Sequence, residues 1–419
     1  MNSDFLLKTA EARRLYEQYA KDAPIVDFHN HLCVAEIAAD RRYGDLTELW
    51  LTPDPYKHRL MRICGVEEVF ITGAAEPFEK FEKFCEIFPY LAGNPVFDWS
   101  KMELSSVFGI ERLPSKENAR YIFDAVGEQL ASPEYSCGGI LRRFRIAYQS
   151  PVAQLMEDLS DFHAPSCAPS LRGDQLLAPT EELLTRLGVT AGDEAGYFRA
   201  ISRRLDAFDA KGCRFADHAL DHGFFADPAQ GKRLVKLAAA YAERGWTLLL
   251  HLDAKRQTSR RLARIAGPAG GYAAVGGSFD IAKLCDLLNE MEQQGGLPDT
   301  VLFPLNPGDQ APLAVLQGSF SQDGTASKVQ LGPAWWWNDH ALGIRNTLNC
   351  VASYGALSQF IGMTTDSRSI LSFLRHDYFR RILCAWLAEQ NEAWQLPEAV
   401  LGQIAAKICY QNAMDKIRK

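Results

Sequence analysis

The chain has 419 residues, of which 47% are hydrophobic and 23% charged, a composition that leaves ample apolar surface for a large core. Its formal net charge of −7 argues against nucleic acid or an anionic membrane surface as the main partner. No stretch approaches the roughly 18 uninterrupted apolar residues of a membrane span. The length fits two or three domains, or one barrel of roughly 250 residues that carries insertions.

The N-terminal residues 1–24 are typical of an amphipathic helix that ends at Pro24, and they lack the features of a signal peptide. The 10 cysteines are scattered and include no CxxC pair, so we expect buried thiols and neither a disulfide framework nor a zinc cluster. These features predict a cytoplasmic protein.

Short β-type runs alternate with helical patterns such as 231–244 and 279–293. Eight runs predict strands, at 24–28, 144–148, 166–171, 212–216, 246–250, 271–275, 300–305 and 359–363. This alternation predicts an α/β fold with a parallel sheet, and eight strands favour a (β/α)8 TIM barrel over an open doubly wound sheet. Periodicity alone does not exclude the open sheet, but no glycine-rich phosphate loop follows the first strand.

The interval between the first and second predicted strands, residues 35–141, is unusually long. It is rich in Glu, Lys, Leu and Phe at helical spacing, as in the run 76–84. We interpret it as a helical insertion over the barrel mouth, so that residues 1–419 form a single barrel domain.

A His-x-His triplet ends the first predicted strand. Alternate residues of a strand point the same way, so His29 and His31 can both face the barrel interior. Two neutral imidazoles there could bind a divalent transition metal. The alternative is a pair of solvated or hydrogen-bonded histidines, but the position after an apolar run favours the metal.

Asp366 and Arg368 follow the last predicted strand. In a closed barrel the first and eighth strands are neighbours, so Asp366 can reach an ion held by His29 and His31. Taken alone, this segment would be interpreted as a helix N-cap at Asp366 or Ser367. The combination with the two histidines favours a site, and no role is assigned to His376 on the following predicted helix.

Other candidates lie at the ends of other predicted strands. Of the three tryptophans at 335–337, at least one is expected in the core and one could line a sugar pocket. The polar candidates, each of them more often structural when taken alone, are Arg172, Asp217, His218, His251 and Asn306. Barrel enzymes place their active sites at the carboxyl-terminal ends of the strands, so together these residues predict a site there.

Several of these motifs together resemble the uronate isomerases, a family of amidohydrolase-like metal-dependent barrels. The resemblance spans nearly the whole chain, and its last stretch is the most specific. It rests on the runs at 27–31, 39–43, 56–62, 66–73, 216–221, 335–339, 365–369 and 375–384.

The resemblance implies an aldose–ketose isomerase that converts D-glucuronate to D-fructuronate, or D-galacturonate to D-tagaturonate, by moving a proton between C2 and C1. It implies that His29, His31 and Asp366 hold a divalent metal, with zinc expected and manganese or iron as alternatives. Asp366 would also be the base that moves the proton, and such a reaction needs a cation or donors where negative charge develops on oxygen.

Further roles follow from the same resemblance. Arg368 and Tyr56 would stabilise the enediol-like intermediate, Arg172 would contact the substrate and Asp217 would support the site. Trp336 and His251 are further candidates for substrate binding. We expect a small-molecule sugar acid as partner, no nucleic acid, no membrane, and a homo-oligomer.

Three departures from the family pattern remove polar or charged groups from the substrate side. Pro55 replaces a histidine, residues 149–152 replace an acidic turn, and residues 273–277 replace an acidic, asparagine-bearing loop. Because the metal end is intact, we expect the same chemistry with an altered or relaxed preference among sugar acids.

The alternative function is a metal-dependent hydrolase of the same barrel type, acting on a sugar-acid lactone, ester or amide. His251 favours it slightly, because hydrolytic relatives often use such a histidine as a ligand. Arg368 disfavours it, because hydrolysis needs no guanidinium beside the metal carboxylate. A binding protein without catalysis is a third interpretation, disfavoured because every residue of the metal end is present.

Overall fold

The computed structural model describes residues 4–418. Its strands are β1 (Ile25–Asn30), β2 (Ile146–Gln154), β3 (Ser170–Arg172), β4 (Phe215–Leu220), β5 (Thr247–Leu252), β6 (Ala254–Lys255), β7 (Ala274–Val275), β8 (Asp299–Pro304) and β9 (Val329–Leu331). Its α-helices are α1 (Ala10–Leu15), α2 (Val34–Ala38), α3 (Pro55–Ile63), α4 (Pro77–Ile87), α5 (Pro95–Phe108), α6 (Ala119–Leu130), α7 (Cys137–Arg143), α8 (Asp174–Leu177), α9 (Glu181–Leu187), α10 (Glu194–Ala210), α11 (Pro228–Glu243), α12 (Arg260–Ala266), α13 (Ile281–Gln293), α14 (Gln310–Ser319), α15 (Ala341–Tyr354), α16 (Arg375–Trp394), α17 (Glu398–Ala406) and α18 (Asn412–Ile417).

Seven strands form one curled parallel sheet in the order β1-β2-β3-β4-β5-β8-β9. Strands β1, β5 and β8 are buried along their whole length, as expected where helices cover the outer face and side chains fill the interior. On the outside, α11 packs against β5 and α13, and α14 packs against β9 and α15. The carboxyl ends of the parallel strands therefore meet at one end of the sheet.

Residues 360–367 take the place of an eighth strand between β9 and β1. The backbone N–H of Ile361 donates to Oε1 of Gln330 on β9, at 3.0 Å. The prediction of a regular strand at 359–363 is wrong, because this segment is bonded to β9 through the Gln330 side chain and not through a ladder of backbone hydrogen bonds. Left-handed φ angles of +94° at Gly362 and +47° at Asp366 also break the extended conformation.

The fully buried carboxylate of Asp27 ties this segment to β1. It accepts hydrogen bonds from Thr364 Oγ1 (2.9 Å), from Thr365 N and Oγ1 (2.6 and 2.8 Å) and from Asn30 Nδ2 (2.8 Å). His376 Nε2 on α16 lies 3.2 Å from the same carboxylate. Burial alone would raise the pKa of Asp27, but the hydrogen bonds from His376, Asn30 and Thr365 hold it below its ordinary value.

The predicted strand at 271–275 is also wrong. Only Ala274–Val275 forms a strand, and it pairs antiparallel with Ala254–Lys255 in a two-stranded ribbon outside the barrel sheet. The strand that pairs with β5 in the barrel sheet is β8, and β9 pairs with β8 on its other side. The three residues of β9 are too few to give a recognisable pattern, which is why the sequence did not predict this strand.

The predicted helices are present with different bounds. The segments predicted at 231–244 and 279–293 correspond to α11 and α13. The helix predicted over residues 1–24 is shorter, because α1 begins at Ala10 and continues through a π-helical turn to Ala20. Residues 1–3 of that prediction lie outside the described part of the chain.

Between β1 and β2 the chain forms α2 to α7, and no strand is present among these residues. The description of 35–141 as an insertion over the barrel mouth of a single domain stays a prediction. Between residues 4 and 418, no helix combines the length and apolar character needed to cross a bilayer. All ten cysteines are free thiols, as expected. Cys33 and Cys64, however, are exposed, whereas the sequence predicted buried thiols.

Buried charges join α3 and α5 to the barrel helix α16. Lys57 Nζ lies 2.7 Å from Asp54 Oδ2 and 3.5 Å from Glu103 Oε2, and all three side chains are 2% exposed. Arg375 on α16 reaches Asp54 (3.9 Å) and Asp339 (3.6 Å). Because an unpaired charge would be costly at such burial, these pairs fix the position of α3 relative to α16.

We expect Asp27→Asn to lower the free energy of unfolding by about 3 kcal/mol, because it removes a buried charge and places an amide donor among existing donors. Chemical denaturation at neutral pH measures the change. The matched control is Asp22→Asn, since Asp22 is 74% exposed and pairs only with the exposed Arg145; little change is expected there. Equal losses in the two variants would contradict the role of Asp27.

Asp339 gives a pH-dependent prediction, because burial raises its pKa to about 6 although Arg375 and Tyr56 lower it. Between about pH 4 and pH 6 the folded state binds a proton that the unfolded chain does not. As pH rises through this window, stability should therefore fall by about 3 kcal/mol from this group. Urea denaturation with a chelator present should show a weaker fall in Asp339→Asn. Parallel curves for the two proteins would argue against a buried, proton-binding Asp339.

Candidate active site

A cavity of about 260 Å³ lies at the carboxyl-terminal ends of the barrel strands. Six of the predicted site residues line it, namely His31, Tyr56, Arg172, Trp336, Asp366 and Arg368. The other three, His29, Asp217 and His251, are almost fully buried and do not line the cavity. The barrel thus brings together residues that are far apart in the sequence.

His29, His31 and Asp366 converge on one point. Oδ1 of Asp366 lies 3.3 Å from His29 Nε2 and 3.0 Å from His31 Nε2. Backbone hydrogen bonds set this geometry: Asp366 N donates to His29 O at 3.1 Å, and His31 N donates to Ser367 O at 2.8 Å. The left-handed backbone of Asp366 turns its side chain toward the histidines, a conformation that aspartate tolerates better than most residues.

The pKa values of all three side chains are shifted by burial and by their neighbours. Burial alone would raise the pKa of Asp366, but the hydrogen bonds from His29 and His31 hold it well below its ordinary value. Burial lowers the pKa of His31 to about 4, while the carboxylates of Asp217 and Asp366 outweigh burial and raise that of His29. At neutral pH the group therefore contains a carboxylate and a neutral His31 imidazole.

These donors fit a divalent transition metal ion. The donor atoms of the trio lie within 4.8 Å of one another. Ligands held about 2.1 Å from one ion at tetrahedral angles are about 3.4 Å apart, close to the two distances found here. Oδ2 of Asp366 is buried and has no hydrogen-bond partner among residues 4–418, so the carboxylate keeps a free oxygen.

A second group of possible ligands shares His29 with the first and adds Asp217 and His251. His251 Nδ1 lies 2.6 Å from Asp217 Oδ1, which fixes the ring, and Nε2 has no partner in the described part of the chain. The rings of His251 and His29 are 4.8 Å apart. Burial opposes ionisation of Asp217, but the charges of His251, His29 and Arg172 hold its pKa far below its ordinary value. A role of His251 in substrate binding stays a prediction.

The cations of the cavity differ in their pairing. Arg172 pairs with Asp174 at 3.0 Å and lies 3.6 Å from Asp217, its neighbour across β3 and β4. Arg256, which no sequence pattern indicated, lies over the Trp336 ring at 5.1 Å and pairs with Asp221 at 2.9 Å. Arg368 makes no hydrogen bond or ion pair with any residue from 4 to 418, so its guanidinium is free to meet a ligand.

Tyr56 is held by Asp339 and Arg375, two residues for which the sequence predicted no role. Its hydroxyl donates to Asp339 Oδ2 at 2.9 Å, and the Arg375 guanidinium lies over its ring at 5.0 Å. Burial and the charge of Asp339 raise the pKa of Tyr56 well above its ordinary value, so the phenol stays a donor. Asp339 is 283 positions from Tyr56, and no local pattern signals that they meet.

Two of the three departures from the family pattern line the cavity. Pro55, the first residue of α3, and Ala273 both stand in its wall. Residues 149–152 lie inside β2 and not in a turn. The substitutions at 55 and 273 therefore alter the surface that a ligand would meet.

The chain is similar to known proteins along almost its whole length. The family model described as glucuronate isomerase matches residues 1–233 and 229–416. A uronate isomerase of Caldanaerobacter subterraneus subsp. tengcongensis is 36% identical, with 99% of this chain and 98% of that protein covered. One of Salmonella arizonae is 38% identical with the same coverage. Both alignments span 459 positions, so these relatives contain residues that the present chain lacks.

Solved structures give the same answer. The crystal structure of a uronate isomerase from Thermotoga maritima has a TM-score of 0.91 and 26% identity, covering 100% of this chain and 99% of its own. A glucuronate isomerase structure from Caulobacter crescentus, with a TM-score of 0.86, 21% identity and coverage of 98% and 94%, supports the fold alone. The predicted α/β TIM-like barrel is confirmed, and the hydrolase alternative is not favoured. Because family model and relatives match along its whole length, the chain belongs to the glucuronate isomerase family.

Proposed function

We propose that this protein is an aldose–ketose isomerase of hexuronates, which converts D-glucuronate to D-fructuronate or D-galacturonate to D-tagaturonate. The observation that carries the proposal is the convergence of His29, His31 and Asp366 at a cavity that also contains Arg172 and Arg368. A carboxylate beside cations is what proton transfer next to a carbonyl group requires.

His29, His31 and Asp366 would hold a divalent ion, with zinc the expected one and manganese or iron as alternatives. Bound there, the ion would supply positive charge beside the substrate oxygens on which negative charge develops. The hydrogen bond between Asp217 and His251 would help to hold His29 in position, because it fixes the buried His251 ring beside the His29 ring.

Asp366 is the proposed base. The reaction moves a proton from C2 to C1 of the open-chain sugar, while the hydroxyl proton passes from O2 to O1. His29 and His31 keep Asp366 ionised at neutral pH, and its Oδ2 has no hydrogen-bond partner in the described residues. Asp366 lines the cavity, so its carboxylate would accept the proton from C2 and return it to C1.

The other side chains of the cavity would bind and orient the sugar. Arg368 would donate to the oxygens of the enediol-like intermediate, and Arg172 would contact the substrate. The Tyr56 hydroxyl donates its one hydrogen to Asp339 in this structure, and it would stabilise the same intermediate by turning that hydrogen to a substrate oxygen. Trp336, whose ring lies 5.1 Å from the Arg256 guanidinium, lines the cavity and would contact the sugar. A homo-oligomer in the cytoplasm stays a prediction, to be tested by light scattering and cell fractionation.

We expect the purified protein to form ketose from D-glucuronate or D-galacturonate, measured in a coupled assay. Asp366→Asn should lower kcat at least about a hundredfold, since it removes the base and a metal ligand. Asp22→Asn, which changes an exposed carboxylate, is the control and should keep full activity. Wild-type turnover in Asp366→Asn would refute the assigned base.

Removal of the metal provides an independent test. Dialysis against a chelator should lower turnover at least about tenfold, and zinc, manganese or iron(II) should restore it. Elemental analysis should find a divalent transition metal in the wild type and much less in Asp366→Asn. Full turnover in protein shown to be free of metal would contradict the proposed site.

A further inference from the structure

A second cavity, of about 310 Å³, adjoins the candidate active site. Pro55, Ala269 and Arg368 stand in the walls of both cavities, so the two spaces share part of their lining. Most of the remaining wall comes from the helical segment after β1, including His58 and Lys80. No role predicted from the sequence uses this space.

The wall of the second cavity carries two cations and no carboxylate. Neither the Lys80 nor the Arg368 side chain makes a hydrogen bond or an ion pair within residues 4–418. The arginines 172 and 256 of the first cavity, by contrast, each pair with an aspartate. In a protein with a net charge of −7, two unpaired cations at one cavity form a local positive field that attracts an anion.

His58 adds a neutral polar group to the same wall. It is 7% exposed, and its Nε2 has no hydrogen-bond partner among the described residues. Burial lowers the pKa of His58 to about 4, with Arg62 acting in the same direction and Asp54 against it. The ring is therefore neutral at physiological pH, and its Nε2 can donate or accept a hydrogen bond according to the tautomer.

We propose that the second cavity is a subsite for an anionic group that the substrate carries beyond its reacting sugar, with a uronate disaccharide as the ligand. Its reducing-end unit would lie at Asp366, and the carboxylate of its other unit would meet Lys80 and Arg368. The two cavities have similar volumes, about 260 and 310 Å³, so each suits one sugar unit. This inference rests on the proposed function, because it requires isomerisation at the reducing end.

The test compares kcat/KM for a galacturonate disaccharide with a free reducing end against kcat/KM for galacturonate. In the wild type both should be substrates. In Lys80→Gln the ratio of disaccharide to monosaccharide should fall about tenfold, the effect of losing one charge-assisted hydrogen bond. Lys83→Gln is the matched control on the same helix, because Lys83 pairs with Glu86 at 2.7 Å and does not line the cavity; its ratio should equal that of the wild type.

The outcomes separate this inference from the proposed function. Turnover of galacturonate without turnover of the disaccharide, or an unchanged ratio in Lys80→Gln, overturns the subsite and leaves the isomerase standing. No turnover of any uronate by metal-loaded protein overturns both.

Inorganic phosphate tests whether the cations instead serve a free anion. Phosphate that competes with the disaccharide but leaves galacturonate turnover unchanged supports the subsite. Phosphate that changes galacturonate turnover in the wild type, but not in Lys80→Gln, identifies a site for a free anion and overturns the disaccharide.

Discussion

The buried carboxylate of Asp27 is the constraint on which the candidate site depends. It holds Thr364 and Thr365 against β1, at the one place where the barrel lacks a regular strand. Asp366 follows Thr365 directly, and His29 follows Asp27 by two residues. The same carboxylate therefore positions Asp366 relative to His29 and His31. Closure of the barrel and assembly of the candidate metal site depend on the same hydrogen bonds.

A second set of buried charges fixes the part of the cavity wall that contains Tyr56. Arg375 lies between Asp54, which caps α3, and Asp339, which accepts the hydrogen bond of Tyr56. Such pairs pay a large desolvation cost, so their contribution to stability is small compared with their effect on geometry. They place the Tyr56 hydroxyl at the cavity and leave it few alternative positions.

The sequence predicted the parts of the site that follow from strand geometry. Alternation along β1 puts His29 and His31 on one side, and closure of a barrel brings Asp366 next to them. The contact between Tyr56 and Asp339 could not be predicted in this way, because it depends on how a long helical segment folds back onto the barrel. The cavity at Lys80 could not be predicted from the sequence for the same reason.

The errors in the strand prediction have a similar origin. The run at 271–275 has β-type residues, but the following strand of the barrel sheet, β8, pairs with β5 and leaves this run outside. At 359–363 the apolar residues do lie between two strands, yet Gly362 and Asp366 interrupt the extended backbone. Residue preferences describe which conformations are favourable locally, whereas strand pairing is decided by the whole sheet.

The left-handed backbone of Asp366 restricts how this position can change during evolution. Asparagine and glycine adopt the same backbone angles at little cost, whereas β-branched residues do not. Both replacements are reached from an aspartate codon by a single nucleotide substitution. A descendant that keeps the fold but loses the carboxylate is thus one genetic step away, and a paralogue with Asn or Gly here would be the signature of that loss.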